Sequence, residues 1–105
     1  MKILFDQGTP VPLRRHLVGH VVDTAHEQGW SGLANGDLLD VAEQAGYQLL
    51  VTTDQNLRYQ QQLAGRQVAI LVLLSTSWPR IRARVDEICV AVDAIAPHDY
   101  IEIPI

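Results

Sequence analysis

Gln67-Val68-Ala69-Ile70-Leu71-Val72-Leu73-Leu74 carries seven apolar residues in succession, with no polar residue to mark a solvent face. A half-exposed strand alternates, and a surface helix shows an apolar stripe. A short run that is apolar on both faces fits a strand covered from above and below, as in a parallel sheet layered by helices. The rest of the chain is read outward from this strand.

Upstream, Gln48-Leu49-Leu50-Val51-Thr52-Thr53 is a second buried run and ends at Asp54. Before it, Leu38, Leu39, Val41, Ala42 and Ala45 fall at helical spacing from Asn35. Gly46 is the stop signal and Asn35 or Asp37 the start cap. Gly29-Trp30-Ser31-Gly32 is a turn-rich loop, and His20-Val21-Val22-Asp23-Thr24 has the β-branched density of a strand. Lys2-Ile3-Leu4-Phe5 is a strand ending at Asp6. Gly8, Pro10 and Pro12 break it there, and Thr9 before Pro10 is the expected cap of a short helix reaching Leu17. Downstream of Asp54, residues 55–64 read as a polar, exposed helix. Ser77 and Pro79 open a longer helix to about Ile95, on which Ile81, Val85, Ile88 and Val92 recur at spacings of four and three. Tyr100-Ile101-Glu102-Ile103 alternates as an edge strand does.

Strands alternating with helices predict βαβ units and a parallel sheet. With 105 residues and no linker or repeat, the expectation is one α/β domain over residues 1–105. Its doubly wound sheet takes the order 2-1-3-4-5, with helices on both faces. In that order the direction of winding reverses between strands 1 and 3, and ligands favour the crevice at the carboxyl ends there. Asp6 follows strand 1 and Asp54 follows strand 3.

Two carboxylates drawn together repel unless a cation lies between them, and a hard divalent ion such as Mg²⁺ or Mn²⁺ suits an all-oxygen site. Asp37 is the natural third acid, with Asp40 and Glu43 as alternatives further along the same helix. Each acid has a competing structural explanation, because aspartate after a strand commonly caps the next helix or turn.

Asp6 after the opening strand, the helix start Asn35-Gly36-Asp37-Leu38-Leu39, and Val51-Thr52-Thr53-Asp54-Gln55-Asn56-Leu57 together resemble the PIN-like domain family. The likeness is to its short branch related to VapC-type toxin nucleases, and it runs from Met1 to about Leu74. It implies a single PIN-like domain that hydrolyses RNA phosphodiester bonds with Mg²⁺ or Mn²⁺ held by Asp6, Asp37 and Asp54. Asn56 stands where the family commonly has another acid, so it would offer a neutral oxygen and no charge. Asp6-Gln7-Gly8 likewise stands where Asp-Glu-Asn is frequent. Arg58, one turn beyond Asp54, is placed either to reach an RNA phosphate or to pair with an acid of the cluster, and Arg14 is the other residue expected to meet RNA phosphates. The expected partners are RNA and, for a toxin, an antitoxin protein, with a homodimer as a further option. The competing reading is a catalytically weak PIN-like module that binds without cutting.

Composition narrows the remaining classes. The chain is 48% hydrophobic with a net charge of −4, which fits a folded domain and opposes a general nucleic-acid-coating surface. No apolar run approaches membrane-spanning length, and the opening residues lack the apolar core of a signal peptide. The single Cys89 forms no internal disulfide, and a cytoplasmic protein is expected. His16, His20, His26 and His98 lack zinc spacing, no Gly-x-Ser-x-Gly accompanies Ser75 or Ser77, and no P-loop is present. Trp30 either covers apolar surface or stacks on a base. Arg80 and Arg84 share a helical face, with Glu87 placed to pair with Arg84.

Overall fold

The computed structural model describes residues 1–57, 63 and 65–105. Five strands, β1 (Lys2–Phe5), β2 (Val21–Thr24), β3 (Leu49–Thr52), β4 (Ala69–Leu73) and β5 (Tyr100–Ile103), form one sheet. Their order is β2-β1-β3-β4-β5 and every pairing is parallel, so the expected doubly wound α/β arrangement is present. The expected helix over residues 55–64 lies largely outside the described residues.

Burial follows position in the sheet. All residues of β3 and β4 are buried, whereas β2 exposes Val21 and β5 buries only Ile103. The unbroken apolar runs therefore sit in the middle, where both faces must be covered. Side chains alternate between two apolar layers. Phe5, Val51, Leu71 and Ile101 point to one side, joined there by Leu13, Leu17, Ile81, Ile88 and Val92. Leu4, Leu50 and Ile70 point to the other, where Leu38, Leu39 and Ala42 cover them. At about 25 cal/mol per Å² of apolar surface, burying each such Leu or Ile is worth about 2 kcal/mol.

The covering elements are a 3₁₀ helix (Val11–His16), α1 (Asn35–Gln44), α2 (Trp78–Arg82) and α3 (Val85–Ala94). Three features differ from the sequence expectation. The segment after Pro10 winds as a 3₁₀ helix whose start has no side-chain cap, because the Thr9 hydroxyl is drawn elsewhere. The single helix expected from Ser77 to Ile95 is broken at residues 83–84. The Arg84 amide there bonds the Ile81 carbonyl, tightening the last turn, and Arg84 leaves helical geometry at φ −113°, ψ 15°. Ile81 and Ile88 still reach the same apolar layer, so the break re-aims the chain without losing its packing. The start of α1 is capped by neither Asn35 nor Asp37. Ala34 occupies the cap position, and the Asn35 amide serves Asp54 instead.

Among the described residues, no helix is long and apolar enough to cross a membrane.

Candidate functional site at the carboxyl ends of β1 and β3

Parallel pairing of Phe5 with Val51 brings the residues just beyond β1 alongside the end of β3. The ladder is extended by one bond, from the Asp6 amide to the Val51 carbonyl at 3.1 Å. Asp6 is thus fixed by backbone pairing before its side chain makes any contact. Its carboxylate then accepts hydrogen bonds from two hydroxyls. Thr9 Oγ1 donates to Oδ1 at 2.7 Å, and Thr52 Oγ1 donates to Oδ2 in a very short contact. Thr9 and Thr52 are both buried, at 3% and 1% exposure, so these donors have little access to water and remain committed to the site.

Thr52 also links the two acids. While its hydroxyl proton goes to Asp6, its oxygen accepts the Asp54 amide at 3.0 Å. The Asp54 carboxylate has its own partners. Oδ2 accepts the Asn35 side-chain amide at 2.6 Å, and Oδ1 accepts the Asn56 backbone amide at 2.9 Å. The first residue of α1 is thereby tied to the end of β3. Asp6 and Asn35 line one polar cleft of about 170 Å³, together with Gly8, Trp30, Ser31 and Leu38. Gly8 is needed where the loop passes Thr53. A Cβ there would lie 2.7 Å from Thr53 Oγ1, so a side chain would force that hydroxyl to turn away.

The other candidate acids are placed differently. Asp37 is exposed and stands two residues after Asn35, which is about 200° around a helix. Neither it nor Asp54 is among the described residues lining the cleft. Asp40 and Glu43 both pair with Arg66, at 2.6 and 3.2 Å. Among the described residues, no group of three or more His, Cys, Asp or Glu is arranged to hold a metal ion. Asn56 is exposed, and the contact seen for it is its backbone amide on Asp54.

Of the two arginines expected at phosphates, Arg58 lies outside the described residues. Arg14 is held by Glu27 in a two-pronged contact, Nη1 to Oε2 at 3.1 Å and Nη2 to Oε1 at 2.9 Å. Glu27 also accepts the Thr24 amide, while Thr24 Oγ1 accepts the Glu27 amide, forming a reciprocal capping box after β2. The Arg14 contact and the Thr24 amide hold the Glu27 carboxyl below its ordinary range. Trp30 meets Tyr47 edge-on, with ring centroids 6.0 Å apart; it packs on the α1 side of the sheet and also lines the cleft. Arg84 pairs with Glu87 as its spacing indicated. Cys89 donates to the His16 carbonyl, and burial pushes its thiol pKa up.

The structure therefore joins Asp6 and Asp54 through Thr52, and among the described residues no contact of Asp37 with either is seen. Thr9, Thr52 and Asn35 are site residues whose sequence signals point only to capping or to the strand. The register of β1 against β3 is the one signal that places Thr52 beside Asp6.

The donor set also answers whether a divalent cation fits. Among the described residues, each of the four carboxylate oxygens accepts one protein hydrogen bond, and a carboxylate oxygen has a second lone pair to give. Ligands oriented in this way by outer hydrogen bonds are what a metal site requires, and one or two carboxylates suffice for Mg²⁺ when phosphate and water complete the shell. The oxygen donors of Asp6 and Asp54 are of the chemical kind that a hard divalent ion takes. Compared with family models, with curated proteins and with solved structures, the chain has no match in any of the three.

Proposed function

We propose that the chain is a metal-dependent ribonuclease of PIN-like type, with Asp6 and Asp54 holding Mg²⁺ or Mn²⁺ at the switch point. One observation supports this above others. The Asp6 carboxylate, on a residue lining a polar cleft, is held by two buried hydroxyls, and among the described residues no backbone amide is seen to bond it. A capping aspartate bonds backbone amides, so capping does not account for Asp6. The sequence resemblance supplies the rest of the reading, with RNA as the substrate.

The residues of the chain divide the work. Thr9 and Thr52 fix the rotamer of Asp6. Asn35 and the Asn56 amide do the same for Asp54. Gly8 lets the loop after β1 pass close to Thr53. Trp30 gives the cleft an apolar wall against which a base can lie. When bound, the divalent ion supplies positive charge to the phosphate and lowers the pKa of water for hydrolysis.

The second reading is a PIN-like module that binds RNA or a protein partner without cutting it. Its support is that, of Asp6, Asp37 and Asp54, Asp6 is the one among the described residues lining the cleft, where the resemblance implies three carboxylates. Mn²⁺ titration and cleavage of single-stranded RNA separate the readings, with Asp6→Asn/Asp54→Asn as control. Saturable binding with cleavage, both lost in the double variant, is expected of the nuclease. Saturable binding with no cleavage across varied RNAs moves the assignment to the module. Absence of Mn²⁺ binding at millimolar concentration overturns both metal-based readings.

A further inference from the structure

Asp6 borders a second cavity, of about 410 Å³, in addition to the cleft it shares with Trp30. Thr9, Arg14, His26 and Glu27 are among the other residues lining this second space. Among its lining residues, the cationic groups are the Arg14 guanidinium and, when protonated, the His26 ring. The carboxylates of Asp6 and Glu27 line the same space.

We infer that this cavity is a subsite for an RNA phosphate adjoining the one at Asp6, and that Glu27 occupies its arginine fork as an internal stand-in for that phosphate. The inference rests on the nuclease reading above and adds to it a place for the neighbouring nucleotide. Three observations carry it. A carboxylate on both Nη atoms has the geometry with which arginine takes a phosphate, two parallel bonds to two oxygens. The Arg14 Nε is buried and has no hydrogen-bond partner among the described residues, so Glu27 leaves one donor of the guanidinium unsatisfied. The pair is partly exposed, 35% at Arg14 and 45% at Glu27, so an incoming anion can reach and replace the carboxylate. Exposed pairs of this kind are weak enough to exchange.

Glu27 therefore restrains binding in two ways. It neutralises the cation that a phosphate needs, and it places a like charge beside the phosphate path. Glu27→Gln separates this from the structural role of the residue, since glutamine serves a capping box as glutamate does.

The test is binding of a fluorescein-labelled single-stranded oligoribonucleotide, without metal, to wild type, Glu27→Gln, Arg14→Gln and the double variant. Glu27→Gln should bind about tenfold tighter than wild type, from one repulsive charge removed and one weak ion pair released. Its slope of log affinity against log salt should steepen by about one phosphate contact. Arg14→Gln should cancel that gain in the double variant. In the wild-type background Arg14→Gln should change affinity by less than about threefold, because Glu27 already masks the guanidinium. If Glu27→Gln fails to fold, Glu27→Ala takes its place, with the same expected gain and the same loss of that gain when Arg14→Gln is added. Unchanged affinity in Glu27→Gln or a gain that survives Arg14→Gln would overturn the subsite, and a loss of about tenfold in Arg14→Gln alone would overturn the masking of Arg14 by Glu27. Loss of Mn²⁺-dependent cleavage is a separate readout and bears on the nuclease reading, not on Glu27.

Discussion

At the end of β1, the Asp6 carboxylate is held by hydroxyls that come from elsewhere, one of them 46 residues away on β3. At the end of β3, the Asp54 carboxylate caps the amide of Asn56 two residues on, and takes a side-chain amide from α1. Both positions are aspartates that close a strand, and they look alike in sequence. Local hydrogen bonding explains much of Asp54. It explains none of the partners of the Asp6 side chain beyond Thr9. An acid whose surroundings are built by tertiary contacts, and which relieves no backbone donor, has a reason to be there other than folding.

The largest effect that tests this contrast is on cleavage. Asp6→Asn and Asp54→Asn should each lower Mn²⁺-dependent cleavage of single-stranded RNA by about 100-fold or more, given that even outer hydrogen-bond partners of metal ligands cost roughly 10- to 100-fold. Retention of activity in Asp6→Asn would remove the distinction in favour of a purely structural role.

Thr52→Val probes the hydroxyl the two acids share. It keeps shape but leaves the Asp54 amide without its acceptor and Asp6 Oδ2 without its donor, at a cost of about 2 kcal/mol in urea denaturation. A cost near zero would mean that the link is incidental. Asp54→Ala should destabilise by about 1 kcal/mol through loss of its cap. Asp6→Ala should cost less than Asp54→Ala, since Thr9 Oγ1 can still donate to the Val51 carbonyl at 2.8 Å. The reverse order in thermal unfolding would break the comparison.

The smallest expected effect concerns a third carboxylate, Asp23 on β2, which accepts the Tyr47 phenol at 2.6 Å away from the site. Burial first, and then Asp23, push the Tyr47 pKa up. The folded state therefore keeps its phenolic proton more tightly than the unfolded chain does. Stability from this group is complete below the unfolded phenol's pKa of about 10, and is lost as pH rises from there toward the raised folded value. Tyr47→Phe should flatten that alkaline decline while leaving cleavage unchanged. Urea denaturation repeated between about pH 9 and about pH 11 checks this, and an equally steep decline in the variant would assign it to other groups.

Much of the fold was legible because burial dictates composition. A strand covered on two faces has no polar residue to spare, which made residues 67–74 and 48–53 readable as central strands. The edge strand β5 showed its alternation for the opposite reason. The break in the helix across residues 77–95 was not legible, because the apolar spacing of Ile81, Val85, Ile88 and Val92 is kept across residues 83–84. Capping signals failed for a related reason. Thr9 and Asn35 carry the right chemistry for helix starts, but hydroxyl and amide groups bond whichever partner the fold brings closest, and here that was Asp6 and Asp54.

The sequence by itself determined the layered parallel sheet, its strand order and the placement of Asp6 and Asp54 at the strand ends around its switch point. Those depend on hydrophobic period and chain connectivity, which are properties of the chain alone. Only the tertiary structure decided that Thr52 joins the two acids, that Arg66 engages Asp40 and Glu43, that Asp37 stands apart, and that Glu27 fills the fork of Arg14. Each of the contacts among these is a hydrogen bond or ion pair a few ångströms long, and most join residues distant in sequence. Such contacts depend on register and side-chain direction, which a pattern of residue types does not carry.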